Sequence, residues 1–223
     1  MSSEIIRSTG NGQGPGDPKQ IPTAVVKRLS LYARVLQELE YENVEKVSSA
    51  ELARRLMLNS AQVRKDLAFF GQFGVPGFGY HVSELRKEVR RILRTDPEVK
   101  VVLIGVGNLG SALLSYGGFL KQGFTMLWGF DVDPQAARQR SRTTIPIYHV
   151  DELETFLGAR HVDIAVLAVP GSVVQSIADR VIALGVTAIL NFVPVRISVP
   201  EGVHVQYVDL SLELESLSFY VQE

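Results

Sequence analysis

The chain has 223 residues, room for one or two domains, and 46% of them are apolar, so a sizeable core can be buried. It contains no cysteine, which excludes disulfides, thiolate metal sites and a cysteine nucleophile, and no apolar run long enough to span a bilayer. The net charge of −1 hides an asymmetry: residues 21–95 hold 13 Lys and Arg against 8 Asp and Glu (+5), and residues 96–223 hold 8 against 14 (−6), the balance of a head that meets a polyanion.

The first residues, MSSEIIRSTG, lack the basic-then-apolar order of a secretion signal, and residues 8–20 are rich in Gly, Pro and polar groups. The expectation is a cytoplasmic protein with a disordered tail over 1–20. From Ile21 the pattern changes. Val25, Leu29, Tyr32, Leu36 and Leu39 recur at helical spacing and predict a first helix with one apolar face. Ser48-Ser49-Ala50-Glu51 has the form of a capping box, opening a short helix with Leu52 and Leu56 on one side. Met57 and Leu58 then turn the chain, and Asn59 is placed to cap a helix over Ser60–Phe70.

In that helix Val63, Leu67 and Phe70 point inward, which leaves Ser60, Ala61, Arg64, Lys65 and Ala68 outward. Small residues near its start permit close approach to a duplex. The two cations can meet phosphates and guanine edges, as in a recognition helix lying in the major groove. The stretch GQFGVPGFGY, residues 71–80, has glycines enough for a hairpin, with Phe73, Phe78 and Tyr80 able to anchor it. It is the candidate wing, and Gly77 within it a candidate DNA contact. A helix from Ser83 follows, with Leu85, Val89 and Ile92 inside and Arg86, Lys87, Arg90, Arg91 and Arg94 outside. Residues 21–95 are therefore expected to form a winged-helix DNA-binding domain.

The segment Thr95–Lys100, TDPEVK, marks a linker. Beyond it, KVVLIG, FTMLWGF, DIAVLAV and TAILNF alternate with helical patterns, which predicts an α/β domain over 96–208 with a doubly wound parallel sheet. Gly105-Val106-Gly107-Asn108-Leu109-Gly110 lies between a strand and a helix. Gly105 allows the tight turn, Gly107 lets backbone approach a pyrophosphate, and Gly110 lets the helix pack on its strand. Asp131 ends the next strand, about 20 residues beyond the motif, where a carboxylate holds ribose hydroxyls. Asp131-Val132-Asp133-Pro134 carries two acids and no Arg or Lys, which favours NAD(H) over NADP(H); FAD and a methyl-donor nucleotide are the competing ligands.

Val169 and Pro170 follow the strand DIAVLAV, and Asn191 follows TAILNF. Loops at the carboxyl ends of such strands line the second half of a dinucleotide site. Leu210, Leu214, Leu217 and Val221 recur at i, i+4, i+7 and i+11 and predict a helix over 209–223. Its stripe is to be buried in a partner subunit or on the chain's own sheet. No catalyst accompanies the cofactor motif. His81, His149, His161 and His204 have no metal-ligand spacing, no Tyr precedes a Lys by four residues, and no G-x-S-x-G occurs. A cofactor site without catalytic or metal residues points to sensing rather than turnover.

The stretches IPTAVVKRLSLYARVL, VSSAELARRL, QVRKDLAFFG, GVGNLGSALLSYGGF, GFDVDP, LAVP, NFVP and YVDLSLELESLSF together resemble the Rex family of redox-sensing repressors, from about Ile21 to the C-terminus. The resemblance implies a homodimer on palindromic operator DNA that lets go when NADH replaces NAD+, with the C-terminal helix exchanged between subunits. It also implies that Arg34, Tyr116 and Asp209 link cofactor, dimer and head. Pro76 departs from it, standing in the wing where a basic residue is expected. Two other readings of the residues stand beside it: an NAD-dependent oxidoreductase with an unusual N-terminal domain, and a CoA- or nucleotide-binding ligase subunit.

Overall fold

The computed structural model describes residues 21–74, 77–96 and 98–221. Residues 1–20, expected to be a tail, and Pro76 of the wing lie outside the described residues. The chain divides into two compact units after Asp96.

The first unit runs α1 (Thr23–Tyr41), β1 (Lys46–Val47), α2 (Ser49–Leu56), α3 (Ser60–Ala68), β2 (Tyr80–His81) and α4 (Val82–Ile92). Val25, Leu29, Tyr32, Leu36 and Leu39 of α1 are all buried, in one cluster with Leu52, Val63, Leu67, Leu85 and Val89. Ser48 caps α2 by accepting from Glu51 N at 3.1 Å. The reciprocal half of the capping box is not made. The Glu51 carboxylate turns instead to Arg54 and Arg55, whose guanidiniums pull its pKa down to about 2. Charge-assisted bonds outcompete a backbone amide for the same oxygens. Met57 closes α2 with a left-handed φ of 52°, and Asn59 opens α3 by accepting from Ala61 N at 2.7 Å.

Among the described residues of the wing segment the one strand does not pair within the segment. Strand β2 pairs antiparallel with β1, which precedes α2, in the register Lys46↔His81 and Val47↔Tyr80. Tyr80 is buried in the core and Phe73 packs against it, but Phe78 is 73% exposed and anchors nothing.

The second unit runs β3 (Val99–Ile104), α5 (Asn108–Leu114), α6 (Gly118–Lys121), β4 (Phe124–Asp131), α7 (Pro134–Arg140), β5 (Ile147–His149), α8 (Leu153–Ala159), β6 (Ile164–Leu167), α9 (Val174–Ala183), β7 (Ala188–Asn191), β8 (His204–Tyr207) and α10 (Leu210–Ser218). Its six strands lie in the order β5-β4-β3-β6-β7-β8, every neighbouring pair parallel. Chain direction across the sheet reverses between β3 and β6, and such a reversal opens the crevice in which doubly wound sheets bind ligands. The buried runs Val101–Ile104 and Ala165–Leu167 show why these two strands are central. Strands β5 and β8, at the two edges, add to the four expected.

Helix α10 buries none of its residues. Leu210, Leu214 and Leu217 are exposed, so the stripe does not pack on the chain's own sheet, and Val221 falls beyond the helix end.

Candidate functional site: a recognition helix and a dinucleotide cradle

Helix α3 presents Ala61, Arg64, Lys65 and Ala68 to solvent, with Ser60 half-buried at its start. Arg64 donates to Ser49 Oγ at 3.1 Å, and no carboxylate pairs with it or with Lys65 among the described residues. Elsewhere in this unit several acids are paired: Glu42 with Arg55, Glu88 with Arg91, Glu40 with Arg86. The positive excess is thereby concentrated on cations such as these. Gly77 is exposed with φ +83°, and no atom stands within 4 Å of where its Cβ would be.

The inner face of α3 holds a feature that apolar periodicity does not reveal. Asp66, fully buried, accepts from Arg28 Nε at 2.6 Å, from a terminal Arg28 nitrogen at 2.8 Å, from Tyr32 Oη at 2.6 Å and from Gln62 Nε2 at 2.7 Å. Burial pushes its carboxyl up, but the bonds from Arg28, Tyr32 and Gln62 together outweigh that and hold it below the ordinary carboxylate range. The same burial, with the bond to Asp66, pushes the Tyr32 phenol up.

In the second unit, Gly105 has φ +92° and a Cβ there would lie 2.4 Å from Ala168 O. A Cβ on Gly110 would lie 1.9 Å from Gly105 O. Packing alone therefore demands both glycines. Gly107 differs: nothing lies within 4 Å of its Cβ position, so the protein leaves room there that its own packing does not need. No side chain caps α5, where Asn108 and Leu109 begin the helix. At the end of β4, Asp131 accepts from Val106 N at 2.7 Å and from Asp133 N at 2.9 Å. Val106 O accepts from Ser111 Oγ at 3.2 Å and from Arg140 at 2.8 Å. The loop is thus held from both sides in an open, amide-lined form that fits a pyrophosphate, with a carboxylate where ribose hydroxyls would fall.

The segment Asp131–Pro134 lacks cations, as its sequence shows, but α7 returns Arg140 to the loop from nine positions further on. Val169, half-buried, follows β6 at the same end of the sheet, with Pro170 exposed beside it. Asn191 is fully buried and its amide is engaged within its own loop, donating to Val195 O and accepting from Val193 N. Those two bonds hold the loop that follows β7.

Tyr116 is 61% exposed, its ring edge-on to Phe119 at 5.0 Å. Asp209 caps α10, accepting from Ser211 N at 3.0 Å, and the Ser211 side-chain bond holds its carboxyl low. No hydrogen bond joins these two side chains among the described residues. Arg34 is exposed on α1 and belongs to the other unit.

A DNA-reading helix in one unit and a dinucleotide cradle in the other define a ligand-responsive transcriptional regulator. Residues 20–68 match the family described as "Putative DNA-binding protein N-terminus", and residues 96–195 match the CoA binding domain family. The redox-sensing transcriptional repressor Rex of Syntrophobacter fumaroxidans is 43% identical over 202 residues, 91% of this chain and 96% of that protein. The crystal structure of RSP in complex with beta-NAD+ and operator DNA is 35% identical, with TM-score 0.81, and covers 90% of this chain and 92% of that one. RSP in complex with beta-NADH gives 34% and 0.77, with 90% and 94% covered. The chain belongs to the Rex family of redox-sensing transcriptional repressors.

Proposed function

We propose that this chain represses transcription as a homodimer on palindromic operator DNA and releases it when NADH fills the cradle around Gly107. The reading rests above all on one observation: the opening at Gly107, with Asp131 beside it, in a chain whose other unit displays Arg64 and Lys65 free of carboxylate partners. Ser60, Ala61, Arg64, Lys65 and Gly77 meet DNA. Gly105 to Gly110, Asp131, Val169 and Pro170 hold the dinucleotide, and Asn191 supports the loop beside them. Residues 21–95, 96–208 and 209–223 are assigned as DNA-binding, dinucleotide-binding and dimerising segments, and the site of action is the cytoplasm.

The two redox forms differ by one positive charge on the nicotinamide. A dry wall formed by Val169, Pro170, Phe192 and Leu210 from the partner subunit penalises the charged ring and favours NADH. In this reading the dinucleotide acts as a signal and not as a hydride source, in keeping with relatives that are transcriptional repressors. Among the described residues no helix is long and apolar enough to cross a membrane.

The test is a gel shift with duplexes that the protein itself selects from a random pool, with NAD+, NADH or CoA added. NADH should release the DNA, while NAD+ and CoA should not. Release by CoA alone, or no retained duplex at all, would overturn the reading.

A further inference from the structure

We infer that Asp66 is a positioning residue for DNA reading: the fork from Arg28, closed by Tyr32, fixes the rotation of α3 on α1 and so aims Arg64 and Lys65 at base edges. The inference rests on the DNA-binding role proposed above. The rest of the inner face of α3 is apolar, with Val63 and Leu67 buried against the core. Such contacts are non-directional, and a helix of nine residues held by them alone can roll. The bond from Gln62 lies within α3 and turns with it, but the three from Arg28 and Tyr32 cross from α1 and cannot be kept through a roll, because each is confined to a narrow range of distance and angle.

The geometry makes that roll matter. Arg64 and Lys65 immediately precede Asp66, so their directions follow its setting at about 100° per residue. A guanidinium standing roughly 8 Å from the helix axis is carried about 3 Å by a roll of about 20°, beyond the tolerance of a base-edge hydrogen bond. Phosphate contacts tolerate such a shift, because a lysine or arginine can reach another oxygen. Base contacts do not. Stability alone does not account for the arrangement. A buried ion pair is commonly no better than apolar residues of the same volume, and directional registry is the best-attested use of one.

The experiment compares wild type with the triple variant Arg28→Met, Tyr32→Phe, Asp66→Leu and with the near-isosteric Asp66→Asn. Affinity is measured for wild-type-selected duplexes and for random duplexes of equal length, over a series of salt concentrations, alongside thermal melts and NADH titrations. For the triple variant we expect a melt and NADH affinity near wild type, unchanged random-duplex affinity and salt slope, and a selected-to-random preference lower by at least about tenfold, on the scale of one base-edge contact. Should the triple variant not fold, the selected-to-random preference of Asp66→Asn is read in its place, at a temperature where that less stable variant is still folded. A folded variant that keeps the preference within about twofold overturns the inference and leaves the proposed function standing. A wild type with no preference for any duplex overturns both.

Discussion

The carboxylate of Asp131 accepts from two backbone amides, Val106 N and Asp133 N, so its charge and its acceptor capacity are separable by mutation. Asp131→Asn keeps an oxygen for Val106 N and removes the charge that a 2′-phosphate would face. At about 4 Å that repulsion is worth about 1–4 kcal/mol in a surface cleft, so the preference for NADH over NADPH should narrow at least roughly fivefold. Quenching of Trp128, the chain's one tryptophan, reads both titrations, and an unchanged ratio would show that Asp131 does not select the cofactor. Asp66 gives a pH prediction of definite sign. Its folded pKa is depressed, so its contribution is present above the unfolded value of about 3.9 and is lost as pH falls through the folded value. Asp66→Asn should cost about 3 kcal/mol at pH 7, the low end for a broken buried pair because Arg28 keeps 24% of its side chain in water. The gap between denaturant melts of the two proteins should begin to narrow below about pH 4 and close only once pH falls past the folded value. A gap that stays constant to pH 2 contradicts the assignment.

At the scale of elements, the glycines of the cradle separate folding from binding. Gly107→Ala meets no atom and has an ordinary φ of −70°, so it should leave the melting temperature within about 2 °C while weakening NADH tenfold or more. Gly110→Ala drives a Cβ onto Gly105 O and should lower the melting temperature outright. Equal loss of stability in both variants would mean that Gly107 also serves packing. The place of the motif and the packing demand at Gly105 and Gly110 were legible in the sequence because the motif sits between a strand and a helix of unambiguous period. So were α1 and α3, whose apolar spacing survives a full turn or more. Strands β5 and β8 were not legible. Ile147–His149 is three residues long, and His204–Tyr207 alternates for only two periods at a sheet edge. The pairing of β2 with β1 spans α2 and α3, so no local turn signal announces it. Asp66 was hidden for the same reason: its partners Arg28 and Tyr32 lie 38 and 34 positions away.

For the whole molecule, α10 carries an exposed row of leucines that a lone subunit leaves in water, and single exposed leucines are ordinary whereas a continuous row is not. Truncation before Asp209 should therefore give monomers by light scattering, with weakened binding to palindromic duplexes; a stable truncated dimer would place the interface elsewhere. How occupancy of the cradle reaches the DNA is a question of linkage. If NADH favours a dimer whose recognition helices no longer match the half-site spacing, operator DNA must weaken NADH binding by the same factor by which NADH weakens DNA binding. A coupling of about 1–3 kcal/mol, five- to 150-fold in affinity, is the ordinary scale. Asp209 is placed to carry it: it caps α10, its partner Ser211 is replaceable, and its carboxyl is held low and so stays charged at neutral pH. NADH affinity measured with and without saturating operator should differ by that factor in wild type, and the difference should shrink in Asp209→Ala while NADH affinity without DNA holds within a few-fold. Operator that leaves wild-type NADH affinity unchanged would show that the dinucleotide does not drive release. Full coupling in Asp209→Ala would keep the switch and move it to other residues.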